Sequence, residues 1–208
     1  MSDWFRTPDW SPEAQEDFEA RLRRARPHNR TQYTRIKGLA LGESGQVEAA
    51  RSLWLRILAD ESGHDFERAT TLEHLGDSYR EEDPAAAQSY YRRLLSDFPI
   101  LNGTTHAVEV SLAELLSKKR SPAARPGALD LLNSFLERRA ARSPNVLFKW
   151  HLVLIDLAAA EGERETVRRA ARTALELSER GPVFPRHKEV GVVHADKKTI
   201  KRLKKLAK

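Results

Sequence analysis

The chain of 208 residues contains no cysteine. Disulfides, thiolate nucleophiles and zinc–thiolate sites are excluded, and thiol redox chemistry with them. No apolar run approaches the length of about 18 residues that a spanning helix needs. The opening MSDWFRTPDW carries charge and no apolar core, so no signal peptide is expected, and a cytoplasmic protein is the expectation. Catalytic motifs are lacking as well: there is no glycine-rich phosphate loop, no HExxH, no GxSxG elbow and no dinucleotide fingerprint. His28, His64, His74, His106, His151, His187 and His194 are scattered, with no i, i+4 pair and no acid at metal-ligand spacing. His64, between Gly63 and Asp65, reads as a solvated turn. The acid runs Glu81–Asp83 and Glu161, Glu163 and Glu165 fall at turns, where solvation explains them. No catalytic residue, metal ligand or cofactor is assigned, and an enzyme is not expected.

What is present suits a globule covered in charge, with 40% hydrophobic and 32% charged residues. The chain is long enough to bury a sizeable core. Its formal net charge of +6 is unevenly placed. Residues 197–208, KKTIKRLKKLAK, hold seven of the 36 Lys and Arg and no acid, leaving 29 basic against 30 acidic residues, a net of −1, in the remainder. The body is balanced and the basicity is an appendage.

Gly76 interrupts an otherwise helical stretch, at a cost of about 1 kcal/mol against alanine. It shares a face with Leu72, Leu75 and Tyr79, where a missing side chain admits a close neighbour. Asp83 and Pro84 form an N-cap and first-turn pair, and Ala87, Tyr90, Tyr91, Leu94 and Leu95 repeat at helical intervals up to Pro99. The prediction is an antiparallel hairpin with Gly76 and Ala87 at the crossing. Upstream, Gly38, Ala50, Trp54, Ile57 and Leu58 match Gly76, Ala87, Tyr91, Leu94 and Leu95, with Gly45 at the turn. Two looser units follow. The first holds Val108, Leu112, Leu115 and Leu116, the loop SPAARPG, then Ala128, Leu132, Phe135 and Leu136; the second runs from Val146 past Gly162 to Val167, Ala171, Ala174 and Leu175. The anchors Ala50, Ala87, Ala128 and Val167 lie 37, 41 and 39 residues apart, a degenerate helical repeat.

Leu75, Gly76, Tyr79, Ala87, Tyr91, Leu94 and Pro99 resemble the signature positions of the tetratricopeptide repeat, a helix-turn-helix unit of about 34 residues. The turn is one residue short, the first unit lacks the terminal proline, and the last two units keep only the apolar rhythm. The resemblance implies an all-α, right-handed superhelix of about four antiparallel hairpins, at 31–60, 69–98, 104–142 and 145–180, within a repeat domain over 31–181. It also implies a groove lined by the first helix of each hairpin. The family's groove positions fall on Gln32, Arg35, Leu39 and Glu43, and on Thr70, Glu73, Asp77, Arg80 and Glu81. The lysine and asparagine clamp for a C-terminal carboxylate is missing, since its places hold Arg35, Leu39, Glu73 and Asp77. Glu73, Asp77 and Glu81 form instead an acidic stripe suited to a basic peptide, or simply a solvated face.

The ends depart from the repeat. Residues 1–30 carry Trp4, Phe5 and Trp10, then a helix opened by Ser11 and Pro12 with Phe18 and Leu22 on one face. This segment reads as a cap over the first hairpin or as an aromatic anchor for a partner. Arg21, Arg23, Arg24, Arg26 and Arg30 cluster near that helix's end, where Asp17 and Glu19 pair with part of the charge. Residues 182–208 are expected as an extended segment, with a short strand, and a basic helix capped by Asp196 with Ile200, Leu203 and Leu206 on one side. Lys197, Lys198, Lys201, Arg202, Lys204, Lys205 and Lys208 face water as a solvated cap, bind phosphate backbones or an anionic surface, or fold back on the acidic stripe as an internal competitor.

The function expected is a non-enzymatic adaptor or scaffold that binds a protein or peptide in its groove. The alternative is a nucleic-acid-associated accessory protein acting through the basic C-terminal helix.

Overall fold

The computed structural model describes residues 3–60, 64–119, 121–138, 143–184 and 186–208. Gly63, Pro185 and the 139–142 end of the third hairpin lie outside the described residues. The protein is all-α: ten α-helices run through the described residues, which form no strand. The chain divides into two compact units, Met1–Thr105 and His106–Lys208. Each end packs into the core of its own unit.

In the first unit, a 3-10 turn (Trp4–Arg6) leads to α1 (Pro12–Arg24), a hairpin of α2 (Pro27–Glu43) and α3 (Val47–Ala59), and a second hairpin of α4 (Asp65–Tyr79) and α5 (Pro84–Asp97). Local chemistry starts the helices. The Ser11 hydroxyl accepts from the Ala14 N–H at 3.3 Å, and the Asp83 carboxylate accepts from the Ala85 and Ala86 N–H groups at 3.0 Å, each with proline in first position. An Asp83→Ala variant is expected to lose about 1 kcal/mol of stability in urea unfolding. An unchanged midpoint would show that the cap contributes nothing. Gly45 supplies φ +86° where α2 turns into α3, a left-handed conformation that favours glycine.

The helical glycines serve aromatic rings, and here the expected Gly76–Ala87 crossing is corrected. A Cβ on Gly76 would lie 2.4, 2.6 and 2.9 Å from Tyr91 ring atoms, and one on Gly38 would lie 2.4 to 2.9 Å from the Trp54 indole. Each glycine is therefore a slot for the ring one helical turn beyond the matched alanine, while Ala50 and Ala87 are fully buried beside it. The Tyr91 hydroxyl donates to Asp77, and the Trp54 Nε1–H donates to the Arg35 carbonyl at 3.3 Å, so both rings satisfy their polar ends as they fill their slots.

The N-terminal aromatics cover the first hairpin. Trp4 and Phe5 pack on Tyr33, and Trp4 and Trp10 pack on Phe18, which joins Leu22, Leu41, Trp54 and Ile57 in one core. A buried lysine holds this cover down. The Lys37 ammonium donates to the Thr7 carbonyl at 2.7 Å and to the Asp9 carbonyl at 2.8 Å, and lies 5.3 Å from the centre of the Trp10 ring. Burial pushes its pKa down, a shift that the Asp9 carboxylate partly opposes.

The second unit holds α6 (Val108–Lys118), a 3-10 turn (Pro122–Ala124), α7 (Arg125–Glu137), α8 (Pro144–Ala160), α9 (Arg164–Ser178) and α10 (Lys197–Leu206). The buried face of α9, with Val167, Ala170, Ala171, Ala174 and Leu177, packs with Phe148, Ile155 and Ala158 of α8 and with Leu203 of α10. Glu109 of α6 takes a two-pronged grip from Arg138, at 2.5 and 2.7 Å. Among the described residues, no strand follows Pro182 where one was expected. The Val183 N–H donates to the Val190 carbonyl at 2.9 Å, and Phe184 and His187 form one isolated bridge. Among the described residues, no second strand is present to extend a ladder from the β-branched residues there, and Val193 and Ala195 pack on the helical core.

Candidate partner-binding groove

Two hairpins that pack side by side leave their first helices adjacent, and in the first unit α2 lies against α4. Between them is a hollow of about 310 Å³ lined by Leu39, Gly42, Glu43, Val47, Trp54, His74, Asp77 and Ser78. Gly42 of α2 borders it: a Cβ there would lie 3.4 Å from Trp54 and 3.7 Å from Ala50, so glycine leaves room above the indole edge, and Trp54 keeps 4% exposure. Leu39 and Val47 add apolar walls, and the carboxylates of Glu43 and Asp77 supply the charge. Tyr91 holds Asp77 in place through its hydroxyl, and burial together with that carboxylate pushes the phenol pKa up.

His74 is stacked obliquely on Trp54, with ring centres 5.3 Å apart, and its Nε2 is buried without a hydrogen-bond partner. Burial, with the nearby Arg35 guanidinium, pulls its pKa down to about 4, so the imidazole is neutral at physiological pH. The hollow thus offers an apolar floor, a neutral ring and two acids.

Of the groove positions expected from the sequence, Leu39, Glu43 and Asp77 line this hollow. Gln32 is exposed on the earlier part of α2, and Arg35 is committed to an ion pair with the buried Glu67. Arg80 and Glu81 stand at the turn after α4. Thr70 and Glu73 are corrected: both are buried, at 5% and 4% exposure, beneath the segment that follows α5. The Thr70 hydroxyl lies 2.9 Å from the Gly103 carbonyl oxygen, and Glu73 accepts from the Thr105 N–H at 2.8 Å and from the Thr105 hydroxyl. The chain itself therefore occupies this part of α4, and the acidic stripe through Glu73, Asp77 and Glu81 is broken at its first member.

Gly42, Val47, Trp54, His74 and Ser78 were not anticipated. The face of α4 turned to α2 carries His74 and Ser78 with Asp77, one residue on from the expected Thr70 and Glu73 register. The signal present in the sequence was the pair Gly38 and Gly42 at i, i+4, which marks one glycine as a ring slot and the next as an opening.

The basic positions lie on the second unit. Leu203 of α10 is fully buried in the α8–α9 core, with Ile200, Leu206 and Ala207 packed around it. Arg202 pairs with Asp156 of α8, and the Arg172 Nε–H donates to the Ala207 carbonyl at 3.0 Å. Asp196 caps the helix through the Thr199 N–H at 2.6 Å, and that bond holds its carboxyl below the usual range. Lys197, Lys198, Lys201, Lys204, Lys205 and Lys208 are exposed. Among the described residues, no group of three or more His, Cys, Asp or Glu side chains could hold a metal ion, and no helix is long and apolar enough to cross a membrane.

No protein-family model, no curated protein and no solved structure matches the chain.

Proposed function

We propose that this protein is a non-catalytic binding module of tetratricopeptide-like hairpins, which seats an extended segment of a partner protein in the hollow between α2 and α4. The carrying observation is the combination of an apolar floor (Leu39, Gly42, Val47, Trp54) with the acids Glu43 and Asp77 on adjacent first helices. That surface matches a segment presenting one apolar side chain beside a lysine or arginine. Structural roles account for the buried charges of the first unit: Lys37 ties down the N-terminal cover, Arg51 bridges α3 to the Ser78 carbonyl and Glu82, Glu67 pairs with Arg35, and Glu73 straps the segment after α5. This supports a binding role over catalysis.

The test is an array of short peptides probed with the purified chain. Peptides with an apolar residue next to Lys or Arg are expected to bind. Gly42→Leu, which fills the hollow, should reduce that binding at least about tenfold, while Glu43→Lys should shift preference toward acidic peptides. Retention of the same peptides by both variants, with circular dichroism unchanged, would exclude the hollow as the docking site.

A further inference from the structure

We infer that the exposed face of α10 is a binding site for the phosphate backbone of a nucleic-acid duplex, engaged without sequence preference. At 3.6 residues per turn, Lys197, Lys198, Lys201, Lys204 and Lys205 fall within about 120° of the helix circumference and extend over about 12 Å of its axis, and Lys208 follows just beyond. The apolar face lies opposite, with Leu203 at 0% exposure. The stripe is thus one-sided, and packing fixes its orientation.

Nearby charges do not neutralise it. Asp196 is occupied as the helix cap, and Asp156 pairs with Arg202. The backbone N–H and the charge of Lys198 act on the Asp196 carboxylate, while none of the six lysine side chains makes a salt bridge among the described residues. Lysines three and four apart on one helix face repel one another, so the stripe is held against its own repulsion by the buried leucine and is relieved by a polyanion.

Packing also decides the class of polyanion. A helix that enters a membrane surface must bury its apolar face in lipid, and that face of α10 is already spent on α8 and α9. A protein interface would want an aromatic or apolar anchor, and the exposed stripe is lysine throughout. Single strands are bound by stacking bases on aromatic rings, which the stripe also lacks. A duplex backbone asks only for closely spaced positive charge, and lysine ammonium groups answer it without reading base edges.

The test is fluorescence anisotropy of a short mixed-sequence DNA duplex with the full chain, at salt from about 50 to about 200 mM. Binding is expected with a slope of log K against log salt between about −3 and −5, equal for two unrelated sequences. The variant Lys201→Gln/Lys204→Gln/Lys205→Gln should bind at least about tenfold more weakly at the lowest salt and lose about 3 from the slope magnitude. A control, Lys149→Gln/Arg186→Gln/Lys188→Gln, removes the same charge from exposed positions elsewhere in the second unit and should stay within about twofold of the parent. All six replaced side chains are exposed, and a far-ultraviolet circular dichroism spectrum checks that each variant keeps its helices. No duplex binding, equal loss in both triple variants, or tighter binding to phosphatidylserine vesicles than to the duplex would overturn the inference.

Discussion

Gly76→Ala is expected to lower stability by about 3 kcal/mol, and Gly76→Leu by more. If helix propensity alone decided, alanine would gain about 1 kcal/mol over glycine in a helix interior. The sign is reversed because the new methyl would lie 2.4 Å from Cε1 and 2.6 Å from Cδ1 of Tyr91. That ring cannot simply move aside, since it is fully buried and its hydroxyl is tied to Asp77. Urea unfolding followed by tryptophan fluorescence measures the effect, because three of the four tryptophans, Trp4, Trp10 and Trp54, stand in the first unit. In a Tyr91→Leu background the added cost of Gly76→Ala should fall below about 1 kcal/mol, a positive coupling between the two sites. Stabilisation by Gly76→Ala in the parent would refute the slot for the Tyr91 ring.

Acidification is expected to weaken the first unit by about 3 kcal/mol through His74 alone. Its folded pKa of about 4 lies below the ordinary imidazole value of 6.5, so on acidification the unfolded chain takes up the proton first. The stability tied to the neutral ring is complete above pH 6.5, falls as pH drops toward about 4, and falls no further below that. Burial against Trp54 is the main cause, with the Arg35 charge adding to it. Urea midpoints between neutral pH and pH 4 should show this loss, and a His74→Phe variant should show a flatter profile over the same window. Parallel profiles for the two proteins would mean that the imidazole is hydrated in the folded state.

The hairpins of the first unit were legible because their signals are local. Asp83 followed by Pro84 starts α5 whatever surrounds it, and Gly45 turns the chain wherever a left-handed residue is needed. The pairing of Gly38 with Trp54 and of Gly76 with Tyr91 was visible as a shared spacing, but its meaning was not. A glycine in sequence shows that something comes close, and only coordinates show that it is a ring rather than an opposing alanine.

The groove was partly legible. Leu39, Glu43 and Asp77 follow from helical register on α2 and α4, whereas Thr70 and Glu73 were misassigned because a segment some thirty residues later, ending at Thr105, folds over them. No local pattern in Leu101–Thr105 announces that return. Lys37 was hidden in the same way. Its burial depends on the carbonyls of Thr7 and Asp9, and a lysine on a helix is otherwise read as solvated.

By itself the amino-acid sequence determined the helical class, the capped start of α5, the turn at Gly45, the apolar side of α10 and the concentration of positive charge at one end. Each depends on neighbours within a few residues, where backbone geometry and capping leave few choices. Tertiary structure decided which acids are buried, which ring each glycine receives, where α2 and α4 leave a hollow and which face of the basic helix remains in water. Those outcomes depend on what arrives from far along the chain, since a side chain's role is set by the surface that excludes water from it.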